Sequence, residues 1–500
     1  MLSCPLKDKS NQRVALFILA HVVLWTFIPV FLKSWICKDM TEHYLWGLEM
    51  QWGYYRHPPF LSWLINWWFM VFPTNNFTYY LLSQINIATG FIFIYLTVSR
   101  LLNKEKAYVS VIMLELVYFY FFSFKLHHDS ILLSLWPICY FFAYQAFKDD
   151  RFISWVMLGI FAAIAMLTKY FSVILLLSLF AFYIFQNRNN LLKAFLKPGP
   201  FVAIALFLAL MTPHILWLID NDFIPFKYVE GRYTRGIGGF LLCYLYFVIM
   251  QPVILSPILM IAKRIFKVDL KKDLKPNLTS FNDAFFTFVI LGPVILVTAI
   301  VMVKLYRLPW RFGMGLCSLS SAYVISRAVV FNEETTKRIQ KIVYQFMSIC
   351  LLIALAVKAS GVKVDSRYHF LPVQKISDHI TNEWHSNFKA KLKNITGSFL
   401  VNEYMAFYSA DHPSALLKFN YKISPWMSAQ KIKKEGIAVI CYKSLEGRDI
   451  EYSDEDVFDD VKKCTTTAEN LFDWKKIDWK KIEFDKFEFT YGFVKPKNIQ

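Results

Sequence analysis

Asp39 and Glu42 stand three residues apart in KDMTEHYLWGLE, so on a helix both carboxylates share one face, which Trp46 and Glu49 continue. Carboxylates beside aromatics at a membrane surface suit a site that receives a polar group delivered from lipid. An interfacial amphipathic helix with solvated acids would show the same spacing. Arg56 and His57 lie just ahead of Pro58 and Pro59, which stop any helix and hold the chain extended. A second cluster, KLHHDS, brings Lys125, His127, His128 and Asp129 together at a helix junction, where they could bind a phosphate or a metal. Adjacent histidines are a weak metal motif, so a divalent cation on His128 and Asp129 is the lesser reading. A short loop reaching headgroup water is the plain alternative. Lys169 in MLTKY sits between two apolar runs and needs a partner, an aqueous cavity or a route to the surface. Two further stretches carry His214, Asp220, Asp222, Lys227, Glu230, Arg232 and Arg235, then Lys304, Arg307 and Arg311. Their cations fall on the side where the charge bias of membrane proteins disfavours them. An anionic phosphate is their natural partner, with lipid headgroups in general as the alternative.

The elements that must position these residues are membrane spans. The chain has 500 residues, 56% hydrophobic and only 18% charged, against about a quarter in soluble domains. Residues 16–32, 131–147, 172–186 and 201–219 contain no Asp, Glu, Lys or Arg. Hydropathy and flanking charge predict an α-helical polytopic membrane protein with about eleven spans. They fall near 14–32, 79–99, 107–124, 130–147, 152–168, 171–186, 200–219, 239–262, 284–303, 311–329 and 343–358. Trp63, Trp67 and Trp68 point to a helix lying in the interface between the first two. Basic residues concentrate in alternate loops, which puts the amino terminus in the cytoplasm and, for an odd span count, the carboxyl terminus outside. The first apolar run is too long for a signal peptide and no A-x-A-like site follows, so it is read as an uncleaved span.

The net charge of +18 needs no nucleic-acid partner, because its basic clusters lie between apolar spans. Beyond residue 360 apolar runs stop and pieces such as GIAVICY alternate with polar stretches. The chain thus divides into a membrane domain, 1–360, and a soluble α/β domain, 361–500. Eight cysteines with no CxxC pair signal neither a zinc site nor a disulfide framework, although Cys441 and Cys464 could pair in an oxidising compartment. No long internal repeat favours an inverted-repeat transporter. The unusual polar residues all fall on one face, which fits an enzyme acting at the outer surface on lipid-linked phosphates.

DMTEHYLWG followed by GYYRHPPFLSW resembles the first outer loop of polytopic GT-C glycosyltransferases. The bacterial family 39 group, relatives of the protein mannosyltransferases and of the lipid A aminoarabinose transferase, is the most similar. MLTKY, PHILWLIDNDF, KYVEGRY, AFYSADHPS and SPWMS extend the likeness along most of the chain. The resemblance implies a polyprenyl-phosphate sugar donor and transfer outside the cytoplasm, to lipid A or another envelope glycan. It makes Asp39 the leading candidate for the essential acidic residue, with Glu42 beside it; Met40 stands where many relatives have an adjacent second acid. Lys169, Arg232, Arg307 and Arg311 become candidates for the donor phosphate, with His57, Lys125, His128, Asp129 and Lys227 as further substrate contacts. No cofactor is firmly implied beyond the divalent cation already weighed. Expected partners are the lipid-linked donor, the envelope acceptor and membrane lipids. A bacterial inner membrane, with the tail domain periplasmic, is the implied location. Protein O-mannosylation, and a transporter or flippase for lipid-linked sugars, are the alternative functions.

Overall fold

The computed structural model describes residues 9–230, 237–304, 309–362, 371–445, 461–472 and 477–497. The chain forms two compact units. One comprises Met1–Phe31, Tyr55–Leu61 and Tyr79–Val362; the other comprises Leu32–Tyr54, Ser62–Thr78 and Lys363–Gln500. The segment carrying Asp39 and Glu42 therefore belongs with the tail rather than with the helices that flank it in sequence.

The first unit is helical. Among the described residues, five helices are long and apolar enough to cross a membrane: Lys9–Leu32, Asn76–Leu101, Pro198–Asp220, Phe281–Ile300 and Glu333–Ala359. A sixth crossing is available if Leu241–Ile254 and Ser256–Arg264, bent by 45°, act as one span. Pro257 sits in the first turn after the break and supplies no N–H there, which accounts for the bend. Side chains such as Leu19, Leu242 and Leu352 stay exposed on these helices, as a lipid-facing surface requires.

Leu132–Asp149, with 18 residues, occupies the expected span near 130–147, and the remaining expected spans are shorter or broken. Phe152–Thr168 and Val173–Gln186 have 17 and 14 residues. At about 1.5 Å per residue, neither alone covers a hydrocarbon core of about 30 Å. Near 107–124 the helix Lys104–Leu114 ends at Glu115, and near 311–329 two 3₁₀ turns precede the short helix Ser320–Ser326. Close packing relies on small residues. A Cβ on Gly159 would meet the Ala203 carbonyl oxygen at 2.5 Å, so the helices Phe152–Thr168 and Pro198–Asp220 touch backbone to backbone.

The second unit holds a five-stranded sheet. Its strands are β1 (Asn394–Gly397), β2 (Ser414–Leu416), β3 (Ile437–Ser444), β4 (Lys480–Phe484) and β5 (Phe487–Val494), in spatial order β2-β1-β3-β5-β4. The pairs β2-β1 and β1-β3 are parallel, while β3-β5 and β5-β4 are antiparallel. The parallel part needs crossover helices, and Phe399–Tyr408 supplies one between β1 and β2.

Cys441 on β3 and Cys464 on the helix Val461–Phe472 form a disulfide across 23 residues, inside a core that includes Leu416, Val439, Ala468 and Ile477. Closing that loop restricts the unfolded chain. Cys464→Ser in the full-length protein is expected to cost about 3 kcal/mol, read as a lower unfolding midpoint for this unit in detergent. Reductant should lower the wild-type midpoint and leave the variant's unchanged; equal midpoints for the two proteins would contradict the prediction.

Candidate functional site

In the first unit a tight turn presents Asp129. Ser130 Oγ accepts from the His127 amide at 3.0 Å and donates to the Lys125 carbonyl at 2.8 Å, while the Asp129 amide donates to His127 Nδ1 at 3.1 Å. These side-chain bonds replace the backbone pairing of a helix and hold the turn just ahead of Leu132–Asp149. Asp129 is left 1% exposed, so its charge requires partners.

Two cations meet it. Lys169 caps the helix Phe152–Thr168 in extended conformation, and its ammonium pairs directly with Asp129 Oδ1. The same ammonium lies 3.6 Å from the ring centre of Phe312, a cation–π contact in a dry setting. Arg311 comes from the 3₁₀ turn Trp310–Gly313, whose carbonyl at Trp310 accepts from Gln251 Nε2 at 3.1 Å. Arg311 Nε stands 3.3 Å from Asp129 Oδ2, while the side chain as a whole is 42% exposed. Two cations against one carboxylate leave the cluster with one net positive charge when its histidines are neutral.

Aromatic and imidazole groups complete the site. The rings of His57 and His128 lie 3.8 Å apart at 32°, and His128 Nε2 is 3.5 Å from Asp129 Oδ2. Arg56 places its guanidinium about equally over Tyr55 and Tyr228, at 4.9 and 5.0 Å. Next to Lys169, the Tyr170 hydroxyl meets Nε2 of the fully buried His214 at 2.9 Å. Such a surface offers donors, flat apolar faces and net positive charge, which together suit a sugar joined to a phosphate.

In the second unit, Asp39 lies half-buried in the first turn of Lys38–Glu49, and Glu42 is buried one turn later. Tyr44 on this helix packs edge-on to Phe407 and Phe69, at 5.0 and 5.4 Å. The Tyr408 hydroxyl accepts from the Ile36 amide at 2.9 Å and donates to Asn76 Oδ1 at 2.8 Å. Trp46 stacks on Tyr54 at 5.0 Å, and the Tyr54 hydroxyl donates to the Trp46 carbonyl at 2.6 Å. His43 Nδ1 lies 3.2 Å from the Ser62 hydroxyl, where Gly47 lets the helix Phe60–Val71 approach. Glu49 accepts from the Ser414 hydroxyl, and burial pushes its carboxyl above the usual carboxylate range.

Of the residues singled out from the sequence, the first unit gathers His57, His128, Asp129, Lys169 and Arg311. Lys125 meets the turn through its carbonyl, and Lys227 is exposed on the helix Ile224–Glu230. Arg232 and Arg307 lie outside the described residues. The metal reading of His128 and Asp129 does not fit, because both Asp129 oxygens face cations already. Among the described residues no three His, Cys, Asp or Glu side chains are grouped to hold a metal ion. The roles of Phe312, Tyr228 and Tyr170 escaped sequence reasoning, which singled out His214 but not its partner. Only the adjacency of Phe312 to Arg311 and of Tyr170 to Lys169 pointed toward them.

A multi-pass helical membrane body joined to a small sheet unit is the GT-C architecture, and this chain has that fold. The sequence pattern of the dolichyl-phosphate-mannose-protein mannosyltransferase family matches residues 56–217. Among solved structures, ArnT from Cupriavidus metallidurans bound to undecaprenyl phosphate superposes with a TM-score of 0.60 at 11% identity, over 96% of this chain and 97% of that one. Its apo form gives 0.59 at 12% identity, over 97% and 98%. An oligosaccharyltransferase from Archaeoglobus fulgidus aligns at 0.43 and 14% identity, over 87% of this chain and 68% of that one. No curated protein sequence matches.

Proposed function

We propose that this protein transfers a sugar from a polyprenyl-phosphate donor to lipid A or another envelope glycan, at the periplasmic face of a bacterial inner membrane. The observation that carries the reading is the buried Asp129 carboxylate, with Lys169 and Arg311 held against it and net positive charge left over. The match at residues 56–217 and the ArnT-like fold support it. So does the Cys441–Cys464 disulfide, which belongs in an oxidising compartment.

In this reaction the acceptor oxygen attacks the anomeric carbon of the sugar. The bond from that carbon to the phosphate oxygen breaks, and polyprenyl phosphate leaves with the bonding electrons. Lys169 and Arg311 stabilise the charge that develops on the departing phosphate, and Asp129 keeps both cations in place. His57 and His128 offer a flat edge for the sugar. Asp39, with Glu42 beside it, takes the proton when the acceptor is a hydroxyl. A lipid A phosphate arrives as an anion without a proton to give up, and Asp39 then orients it through a water or a cation.

The test is mass spectrometry of lipid A from a deletion strain and from an Asp39→Ala strain. Both are expected to lose the same sugar-sized increment. Unchanged lipid A alongside altered glycoproteins would favour a protein acceptor, the reading that the family match at residues 56–217 favours next. Lipid-linked sugar crossing the bilayer of reconstituted vesicles without release of polyprenyl phosphate would favour a flippase.

A further inference from the structure

An open cavity in the first unit touches none of the residues assigned above. It encloses about 890 Å³ and is lined by Lys9 and Arg13, by Glu105, and by Glu333, Lys337 and Lys341. Lys9 and Arg13 occupy the first turns of Lys9–Leu32, and Lys337 and Lys341 those of Glu333–Ala359. Four cations face two carboxylates, leaving two positive charges in excess. The carboxylates are engaged with neighbours. Glu105 accepts from Ser10 Oγ at 2.7 Å and pairs with Arg13 at 3.3 Å, and Glu333 pairs with Lys337 at 2.8 Å. Asn332, Gln340 and Tyr344 add neutral polar groups to the wall.

Both helices run directly from this cavity into lipid-facing surface. Leu16 and Leu19 on one, and Ile349 and Leu352 on the other, are each more than half exposed. A ligand here therefore meets cations at one end and bare apolar helix at the other. We propose that the cavity binds a phosphate-bearing anion, specifically the headgroup of an anionic phospholipid whose acyl chains lie along those two helices. Cations at headgroup depth attract such lipids, and a recess between helix ends retains one of them where a flat surface would exchange it.

The experiment is native mass spectrometry of the full-length protein, titrated with phosphatidylglycerol and separately with phosphatidylcholine. Wild type is expected to retain phosphatidylglycerol preferentially. Lys337→Gln/Lys341→Gln should bind it about tenfold more weakly, and Lys337→Arg/Lys341→Arg should restore binding. Lys263→Gln/Lys267→Gln, which removes two lysines outside the cavity, should behave as wild type. Equal retention by wild type and the double glutamine variant would overturn the proposal. Inorganic phosphate supplies the second arm. A phosphate-dependent rise in unfolding temperature that the glutamine variant loses, without any preference for phosphatidylglycerol, would assign the cavity to a water-soluble phosphate and overturn the lipid headgroup.

Discussion

Lys169→Met is expected to lower the turnover number for sugar transfer by about 10² to 10³, the range seen when one preorganised charge is removed from a developing anion. Methionine keeps most of the length and apolar bulk of the lysine stem, so packing against Phe312 and Phe171 survives while the ammonium does not. Arg311 stays paired with Asp129 and prevents a bare buried carboxylate. The loss should therefore appear mainly in turnover, with a smaller rise in KM, because the phosphate gains charge as it departs. Release of polyprenyl phosphate from a defined donor in reconstituted vesicles measures it. Lys193→Met, which removes an exposed lysine on the helix Leu191–Phe195, should stay within a few-fold of wild type. A turnover within threefold of wild type for Lys169→Met would remove Lys169 from the reaction. Asp129→Asn should lose activity as well, by releasing both cations from the place that their common carboxylate sets.

Glu115→Gln is expected to lower stability by about 1–3 kcal/mol. Glu115 follows the helix Lys104–Leu114 and is completely buried. Its carboxylate meets His21 Nδ1 at 2.6 Å and accepts from Trp25 Nε1 at 2.5 Å, and both partners belong to the helix Lys9–Leu32. Phe17 and Phe91 pack around the imidazole and keep water away. Glutamine keeps one acceptor oxygen and puts an NH2 donor in place of the other, so one of these two contacts loses its complement in an apolar setting. The unfolding midpoint of the detergent-solubilised protein should fall sharply for Glu115→Gln. His21→Leu/Glu115→Leu should recover part of the loss, since it removes both polar groups together. Additive losses in that double variant would mean the two residues act independently.

The two sites differ in how far the sequence announced them. Asp129, Lys169 and Arg311 could be picked out singly, because each is a charge beside apolar runs, where a charge has few cheap reasons to be. That Lys169 and Arg311 share one carboxylate could not be read, since residues 129, 169 and 311 meet only through the packing of their helices. His21 and Glu115 escaped notice altogether. A histidine inside an apolar run carries no formal charge in a hydropathy reading, and a single glutamate at a helix end looks like a loop residue.

What the chain determines by itself is the membrane class and the chemistry available at its ends and breaks. Charge-free runs cannot remain in water, stray cations need anions, and paired prolines stop helices wherever they fall. The location of Asp39 and Glu42 was a tertiary decision. Hydropathy reads them as part of a loop between spans, whereas Tyr44, Phe407 and the Tyr408 hydroxyl tie their helix to the unit that carries the sheet. Two of the expected helices were interrupted in the same way. Apolar runs at 107–124 and 311–329 are long enough to cross, but Glu115 and the turns around Gly313 and Gly315 break them. Periodicity and charge are local properties of a chain. Partners hundreds of residues apart are chosen by shape and burial, which only the packed structure contains.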